Sequence, residues 1–208
     1  NSWSEILDTF GTSENDKQKL FDSGLIIKKD GGGFYDRFRN RIMFPIKDNR
    51  GDVLGFGGRI IGNDEPKYLN SPETALFRKG ELLYGLFESK EGIGKTKSAI
   101  IVEGYTDVIA LQKYGFNTAL ATLGTATTEY HIRKMFRTID EITFCFDGDK
   151  AGYKAALKAM ELSLPIIKTN KEVNFLILDK GQDPDEMMES NGPDAFKTAL
   201  SNAYSLDQ

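Results

Sequence analysis

The feature that most constrains the fold is an alternation, after Lys97, of short apolar runs with segments of helical spacing. A continuous apolar run at 98–102 is typical of a buried parallel strand, 105–114 has helical periodicity, and 118–123 is typical of a second strand. This order predicts a strand–helix–strand unit. The later predicted elements are a helix at 127–138, a strand at 141–146, a helix at 151–164, a strand at 173–178 and a helix at 193–203. We therefore predict an α/β domain with a parallel-rich sheet flanked by helices.

The first half of the chain has a different pattern. Residues 1–27 predict one or two short helices, with Ser13 able to cap the second, and 26–61 predict antiparallel strands joined by turns. Residues 62–98 are rich in loop signals and predict an extended, partly basic surface. We expect a smaller mixed α+β basic subdomain at 1–97, the α/β domain at 98–192, and the start of a helical region at 193–208.

Length and cysteine content limit the class of protein. With 208 residues, of which 39% are hydrophobic, the chain can bury a substantial core. The single Cys145 cannot form an internal disulfide, and no apolar run approaches the ~18 residues of a membrane span. We expect a reducing, cytoplasmic setting without a membrane. Because the chain starts at Asn1 without an initiator Met, we also expect it to be part of a longer polypeptide.

Charge is distributed unevenly along the chain. Residues 28–97 carry fourteen Lys and Arg against ten Asp and Glu, whereas residues 98–208 carry eleven against sixteen. A basic segment beside an acidic one suits a nucleic-acid enzyme, because phosphates need cations and catalytic metals need carboxylates. Ordinary surface charge is the alternative explanation.

Carboxylates follow three of the predicted strands at the point where each strand ends. The pairs are Glu103 with Asp107 after the first strand, Asp147 with Asp149 after the third, and Asp183 with Asp185 after the fourth. Because ligands of open α/β sheets gather beyond the carboxyl ends of the strands, we expect these pairs to share one edge of the sheet.

Six carboxylates at one edge would repel one another unless divalent cations neutralised them. Oxygen ligands without Cys or His favour Mg²⁺ or Mn²⁺. Since Mg²⁺ usually takes one or two protein carboxylates together with substrate phosphate, six acids predict more than one ion. Phosphoryl or nucleotidyl transfer is the matching chemistry.

A purely structural role stays open for some of these acids. Asp is common in turns and at helix N-caps, so Asp185 could cap a helix that begins near Glu186. Asp107 could stabilise a helix N-terminus through the helix dipole. Glu103, Asp147 and Asp149 are therefore the preferred catalytic residues, and Glu103 could act as a metal ligand or as a general base.

The motifs resemble a known family. Glu103-Gly104 followed by Asp147-Gly148-Asp149 resembles the signature of Toprim domains, which occur in primases, type IA and type II topoisomerases, overcoming-lysogenization-defect nucleases and recombination-mediator proteins. Longer segments resemble the RNA-polymerase core of DnaG-type DNA primases over nearly the whole chain. In chain order they are YDRFRNRIMFPIKD, GFGGRIIG, PKYLNSPET, FRKGELLYGL, VEGYTDVIAL and FDGDKAG.

The resemblance implies synthesis of short RNA primers from ribonucleoside triphosphates on a single-stranded DNA template at a bacterial replication fork, which leaves an RNA–DNA hybrid. It implies that the six carboxylates form the metal site. It also implies a basic ridge that binds nucleotide and template, formed by Arg59, Lys67, Tyr68, Asn70 and Lys79. Arg37, Arg39 and Arg41 alternate along a predicted strand and would add a basic stripe suited to phosphate; a merely solvated strand face is the alternative.

DnaG-type primases also have a zinc ribbon and regions that bind the replicative helicase. One Cys and one His cannot build that zinc site, so we expect no zinc on this chain. We expect weak or no priming by this chain alone.

Two other functions stay open. A Toprim nuclease or topoisomerase subunit would use similar metals to cleave strands, although neither Tyr68 nor Tyr105 has a context that demands a covalent link to DNA. A non-catalytic DNA-binding recombination module would use the same domain for assembly. The basic segment before the acidic half favours primase.

Three further features are assigned structural roles. GIGKTK at 92–97 hints at a phosphate-binding loop, but Ser89 stands where the first glycine would be and no apolar strand precedes it. His131, the single histidine, lies in a helical pattern typical of a surface and is expected to be exposed. Cys145 lies inside a predicted strand and is expected in the core.

Overall fold

The protein is described by a computed structural model that covers residues 3–206. The chain forms two compact units, Asn1–Arg78 and Lys79–Gln208. The domain boundaries predicted at 97/98 and 192/193 stay predictions, and residues 1, 2, 207 and 208 at the outer ends lie outside the described part.

The first unit contains short helices and small antiparallel sheets, as the sequence predicts. Its elements are α1 (Glu5–Phe10), α2 (Glu14–Asp22), β1 (Ile26–Lys28), β2 (Phe34–Asp36), β3 (Arg41–Lys47), β4 (Val53–Ile60) and β5 (Tyr68–Asn70). β1 pairs with β2, and β3, β4 and β5 form a three-stranded sheet in that order. The predicted cap is confirmed, because the Ser13 side chain accepts a hydrogen bond from the Asp16 N–H at the start of α2.

The second unit is an α/β domain. Its elements are α3 (Lys90–Thr96), β6 (Ser98–Val102), α4 (Tyr105–Lys113), β7 (Ala119–Ala121), α5 (Glu129–Met135), β8 (Glu141–Gly148), α6 (Lys150–Ser163), β9 (Glu172–Lys180), α7 (Pro184–Ser201) and β10 (Tyr204–Ser205). The five strands form one sheet in the order β10-β9-β8-β6-β7, parallel except for β10. The predicted parallel-rich sheet with flanking helices is confirmed.

Side chains from both faces of this sheet are buried, which explains why its strands are continuous apolar runs. On β6, Ala99 and Ile101 belong to one core cluster, with residues of α5 and α6, whereas Ile100 and Val102 belong to a second cluster, with residues of α4 and α7. Cys145 of β8 is fully buried in the second cluster, as predicted.

Several expectations are corrected by the structure. Residues 62–98 are not only loop, since they contain β5 and α3, and the GIGKT segment lies inside α3. Positive-φ backbone at Gly192 (φ 79°) divides α7 into two helical segments; the second follows Gly192, where the helix at 193–203 was predicted, and the first begins at Pro184. The edge strand β10 was not predicted. Within residues 3–206, no helix is both long and apolar enough to cross a bilayer.

His131 is the clearest departure from the predicted burial. It was expected to be exposed, but its exposed fraction is 0%. The ring is buried because its Nδ1 accepts a hydrogen bond from the Thr128 N–H, so that a polar residue can occupy an interior position at the start of α5.

Candidate active site

The carboxyl ends of three neighbouring parallel strands carry the predicted acidic residues. β6, β8 and β9 are adjacent in the sheet, and each is followed by a helix whose N-terminus lies at the same edge. Gly148 ends β8 in close contact with β9, and a Cβ there would clash with the Asp179 carbonyl oxygen. A glycine is therefore required between Asp147 and Asp149 for the two strand ends to come together.

Backbone N–H groups donate hydrogen bonds to at least four of the six carboxylates. Glu103 Oε1 lies 3.3 Å from Asp147 N, and Asp107 Oδ2 lies 2.9 Å from Gly104 N. Asp149 is the N-cap of α6 and accepts from Gly152 N at 2.7 Å. The bonds of Asp107 and Asp149 stabilise the N-termini of α4 and α6, whereas the bond of Glu103 links the end of β6 to β8.

The N-cap of α7 is Asp183 and not Asp185, the residue for which this role was left open. Asp183 Oδ1 accepts from Glu186 N at 2.7 Å, and the helix begins at Pro184. Asp185 lies in the first turn of that helix. Asp107 likewise lies in the first turn of α4, so its helix-stabilising role and its place in the acidic cluster are both realised.

Electrostatic coupling shows that the three strand ends converge. The pKa of Asp107 rises to about 7, mainly through burial and then through the charges of Asp183, Asp147 and Asp185, while the Gly104 N–H lowers it. Burial is also the main reason that the pKa of Asp147 rises to about 7, followed by repulsion from Glu103 and then Asp183. Desolvation raises the pKa of Glu103 as well, with a smaller contribution from Asp149.

The donor set fits a hard divalent cation. Asp147 Oδ1 is buried and makes no hydrogen bond within residues 3–206, so a carboxylate oxygen at the centre of the cluster is left for another partner. Within the same residues, no three Asp, Glu, Cys or His side chains are gathered tightly enough to enclose an ion. A cation bound at this edge would offset the repulsion between the carboxylates.

Cys145 lies beneath the carboxylates but does not belong to the donor set. Burial raises the pKa of its thiol, and the charges of Asp107, Asp147 and Glu103 raise it further. A protonated thiol is a poor metal ligand, so the site offers oxygen ligands.

Four of the predicted nucleotide and template residues lie together in the first unit. Arg59 on β4 is paired with Tyr68 on β5, and Asn70 is paired with Gly57. The Lys67 ammonium lies 5.8 Å from the centre of the Tyr68 ring. Arg59 and Lys67 line one groove of about 480 Å³, and Arg59 Nε is buried there without a hydrogen-bond partner in the described chain.

The predicted stripe of Arg37, Arg39 and Arg41 is wrong as a strand face, because only Arg41 lies in a strand. The chain leaves the sheet after Asp36, which turns inward and accepts hydrogen bonds from the N–H groups of Ile6 and Leu7 in α1. The three arginines nevertheless line one groove of about 460 Å³.

Internal contacts already engage much of this arginine surface. Arg37 donates to the Asn70 carbonyl at 3.0 Å, and Arg41 donates to the Gly58 carbonyl at 3.2 Å. Arg39 donates to the Asp36 carbonyl at 2.6 Å and lies over the Trp3 ring at 4.3 Å. These contacts fix the guanidinium groups in place at the groove.

Lys79 is the first residue of the second unit, whereas the other four residues of the predicted ridge belong to the first. Two side chains of α5 and its N-cap, Thr128 and Lys134, donate to carbonyls of the turn that follows Lys79, and His131 lies between them; sequence reasoning assigned none of the three a role in this turn. The spacing of Thr128 and His131, a hydroxyl three residues before a side-chain acceptor, is a signature of a helix start and could have indicated this arrangement.

Comparisons with known proteins agree with the fold and the site. Residues 1–90 match the family model of the N-terminal domain of the DNA primase catalytic core, and residues 97–176 match the Toprim domain. DNA primase of Escherichia coli (strain K12) is 46% identical over 204 residues, which are 98% of this chain and 35% of that protein. The chain therefore spans about a third of the length of that relative.

Solved structures extend the similarity to three dimensions. A DNA primase domain from Pseudomonas aeruginosa superposes with a TM-score of 0.95 at 47% identity, covering 99% of this chain and 64% of that one. A DnaG primase catalytic domain bound to single-stranded DNA superposes with a TM-score of 0.93 at 46% identity, covering 99% and 66%. With two consecutive family domains and this likeness over nearly its whole length, the chain belongs to the DnaG-type DNA primases and corresponds to part of their catalytic core.

Proposed function

We propose that this chain is the central part of a primase that synthesises short RNA primers from ribonucleoside triphosphates on single-stranded DNA. The observation that carries the proposal is the convergence of carboxylates from three neighbouring strand ends, where the pKa values of Asp107 and Asp147 both rise to about 7. Perturbed carboxylates at the ligand-binding edge of an α/β sheet are typical of a catalytic site. The single-stranded DNA bound by the related catalytic domain supports the same substrate here.

The acidic edge would hold the cofactor. Mg²⁺ or Mn²⁺, in more than one copy, would supply Lewis-acid stabilisation of the triphosphate charge and of the leaving pyrophosphate. The residues that would hold these ions are Glu103, Asp107, Asp147, Asp149, Asp183 and Asp185. Asp147, whose buried Oδ1 has no partner in the described chain, is electrostatically coupled to Glu103, Asp149, Asp183 and Asp107.

The remaining chemistry belongs to the chain itself. The primer 3′-hydroxyl attacks the α-phosphate of the incoming nucleotide, and pyrophosphate leaves. Glu103 is exposed at the rim with a raised pKa, which suits it either to accept a proton from that hydroxyl or to contribute a ligand oxygen. Arg59, Lys67 and Lys79 supply N–H donors to phosphate, and Tyr68 supplies a ring on which a base can stack.

The biological setting follows from the same proposal. The enzyme would act in the cytoplasm at the replication fork and would contact the replicative helicase through regions outside residues 1–208. Strand cleavage by a Toprim nuclease or topoisomerase, and assembly as a recombination module, are the functions that the experiment must separate from priming.

The test is incorporation of labelled ribonucleotides on single-stranded DNA by the full-length protein that contains this chain, with Mg²⁺ or Mn²⁺. Glu103→Gln should abolish incorporation, because it removes the charge while keeping the shape of the side chain. Glu91→Gln is the matched control, since Glu91 is exposed on α3 and pairs only with Lys95 among the described residues. Full activity of Glu103→Gln would refute the assignment, and metal-dependent nicking of supercoiled plasmid without incorporation would favour the strand-cleaving alternative.

A further inference from the structure

The turn that carries Lys79 is held by side chains of a helix about fifty residues later in the chain. Thr128 Oγ1, at the N-cap of α5, donates to the Gly80 carbonyl at 2.8 Å. Lys134 Nζ, in the last turn of α5, donates to the Glu81 carbonyl at 2.8 Å. Two successive carbonyls of an irregular segment are thus fixed by one helix.

His131 lies between these two anchors and is fully buried. Its Nδ1 accepts from the Thr128 N–H at 3.2 Å. A neutral imidazole that accepts at one nitrogen carries its proton on the other, so Nε2 is a donor. Burial lowers the pKa of His131 to about 4, which keeps the ring neutral at physiological pH.

The donor of this ring points into the same turn. His131 Nε2 is buried and has no hydrogen-bond partner within the described chain, and the main-chain carbonyls of Lys79 and Leu82 are near enough to raise the pKa of the ring. A residue needed only to cap α5 would use the Nδ1 position and would have no reason to bury a second polar atom, which is costly. The buried donor is therefore explained by the carbonyls that it faces.

We infer that His131 is a positioning residue: the attraction of its buried Nε2–H to the carbonyls of Lys79 and Leu82 adds to the hydrogen bonds of Thr128 and Lys134 that fix the turn at Lys79–Leu82, and thereby sets where Lys79 meets the nucleotide or template phosphate. The role of Lys79 in this inference rests on the proposed function. The chemistry is indirect: His131 touches neither substrate nor metal, and it acts through the backbone of the turn.

Two substitutions separate the functions of the two ring nitrogens. His131→Asn keeps an acceptor at the Nδ1 position and removes the donor, whereas His131→Gln keeps a donor at the Nε2 position. In the full-length protein, His131→Asn should raise the KM for ribonucleoside triphosphate about tenfold with kcat within about twofold, because a misplaced binding group weakens substrate binding. His131→Gln should stay close to the wild-type KM.

A double-mutant cycle ties the effect to Lys79. Once Lys79→Ala has removed the ammonium group, His131→Asn should cause no further rise in KM, because the turn then has no group to position. An additive rise in KM would overturn the inference.

A second readout does not depend on activity. Trypsin cleaves after Arg78 and Lys79, so release of the turn should increase cleavage there in the 208-residue chain carrying His131→Asn, but not in that carrying His131→Gln. Lys134→Met removes the Glu81 anchor and spares the helix cap, so it provides the same test if His131→Asn fails to fold. Unchanged cleavage and unchanged KM in the folded variants would overturn the inference.

The outcomes distinguish this inference from the proposed function. If Glu103→Gln abolishes synthesis while His131→Asn changes neither KM nor cleavage, the positioning role fails and the proposed function stands. If Glu103→Gln stays active, the proposed function fails, and the cleavage experiment still decides whether His131 holds the turn.

Discussion

Repulsion within the acidic edge predicts that Asp107→Asn stabilises the metal-free protein at alkaline pH. Asp107 is 6% exposed, and its pKa rises from 3.8 to about 7, mainly through burial and then through Asp183 and Asp147. Asn keeps an oxygen that can accept from the Gly104 N–H but carries no charge. The substitution therefore removes the unfavourable charge and retains the hydrogen bond.

The magnitude follows from the linkage between protonation and folding. A rise from 3.8 to about 7 corresponds to roughly 4 kcal/mol at 1.36 kcal/mol per pH unit. Relaxation of the side chains and screening by salt reduce this, so we expect about 2 kcal/mol at pH 8, or roughly 4–8 °C in Tm for a chain of this size.

The sign of the pH dependence is fixed by the direction of the pKa shift. The folded state holds the Asp107 proton more tightly than the unfolded state does, so this contribution to stability is present below pH 3.8 and is lost as pH rises through about 7. Asn has no such dependence. The advantage of Asp107→Asn should thus reach about a third of its value at pH 5 and its full value near pH 8.

The assay is urea and thermal unfolding of the 208-residue chain in EDTA at pH 5 and pH 8. Asp194→Asn is the matched control, because the Asp194 side chain is 95% exposed and pairs with Lys197, and its effect should stay within about 0.5 kcal/mol. Saturating Mg²⁺ should narrow the gap between Asp107→Asn and wild type. A variant that is destabilised at both pH values, or that gains nothing between pH 5 and pH 8, would refute the account of repulsion.

Two further predictions concern the backbone at the acidic edge. Gly148→Ala should lower the free energy of unfolding by about 1–3 kcal/mol, because the new Cβ meets the Asp179 carbonyl oxygen. Gly94→Ala is the control: its Cβ would meet open space in α3, so it should raise the free energy of unfolding by about 0.5–1 kcal/mol. Equal effects of the two variants in urea unfolding would contradict the close approach of β8 and β9. Asp183→Ser and Asp183→Ala both remove the charge, but only serine keeps an N-cap on α7. The serine variant should therefore be more stable than the alanine variant by about 1 kcal/mol in EDTA at pH 8. Equal Tm values of the two variants would argue against the cap.

The sequence predicts the parts of the fold that depend on local patterns. The apolar runs of β6 and β8 are buried on both faces, so their strand character is visible without any structure, and the carboxylates that follow them could be assigned to one edge. β10 is two residues long and α3 contains two glycines, so neither has a periodicity that a sequence can reveal.

What the sequence could not predict depends on contacts between distant residues. Arg37 and Arg39 leave the strand pattern because Asp36 is drawn toward the N–H groups of α1, some thirty positions earlier. The burial of His131 follows from its contacts with Thr128 and with the turn at Lys79–Leu82, and a polar residue in a helical pattern gives no sign of such contacts. The coupling of the six carboxylates likewise appears only when β6, β8 and β9 are placed side by side.

The most direct test of the central claim is Mn²⁺ binding by the 208-residue chain, followed by electron paramagnetic resonance and calorimetry at pH 8. The convergent carboxylates predict that the wild-type chain binds Mn²⁺. Asp147→Asn should weaken Mn²⁺ binding by at least about tenfold, or 1.4 kcal/mol, whereas the control Asp194→Asn should leave the affinity for Mn²⁺ unchanged. Absence of Mn²⁺ binding, or equal affinities of wild type and Asp147→Asn, would contradict a metal site at the ends of these three strands.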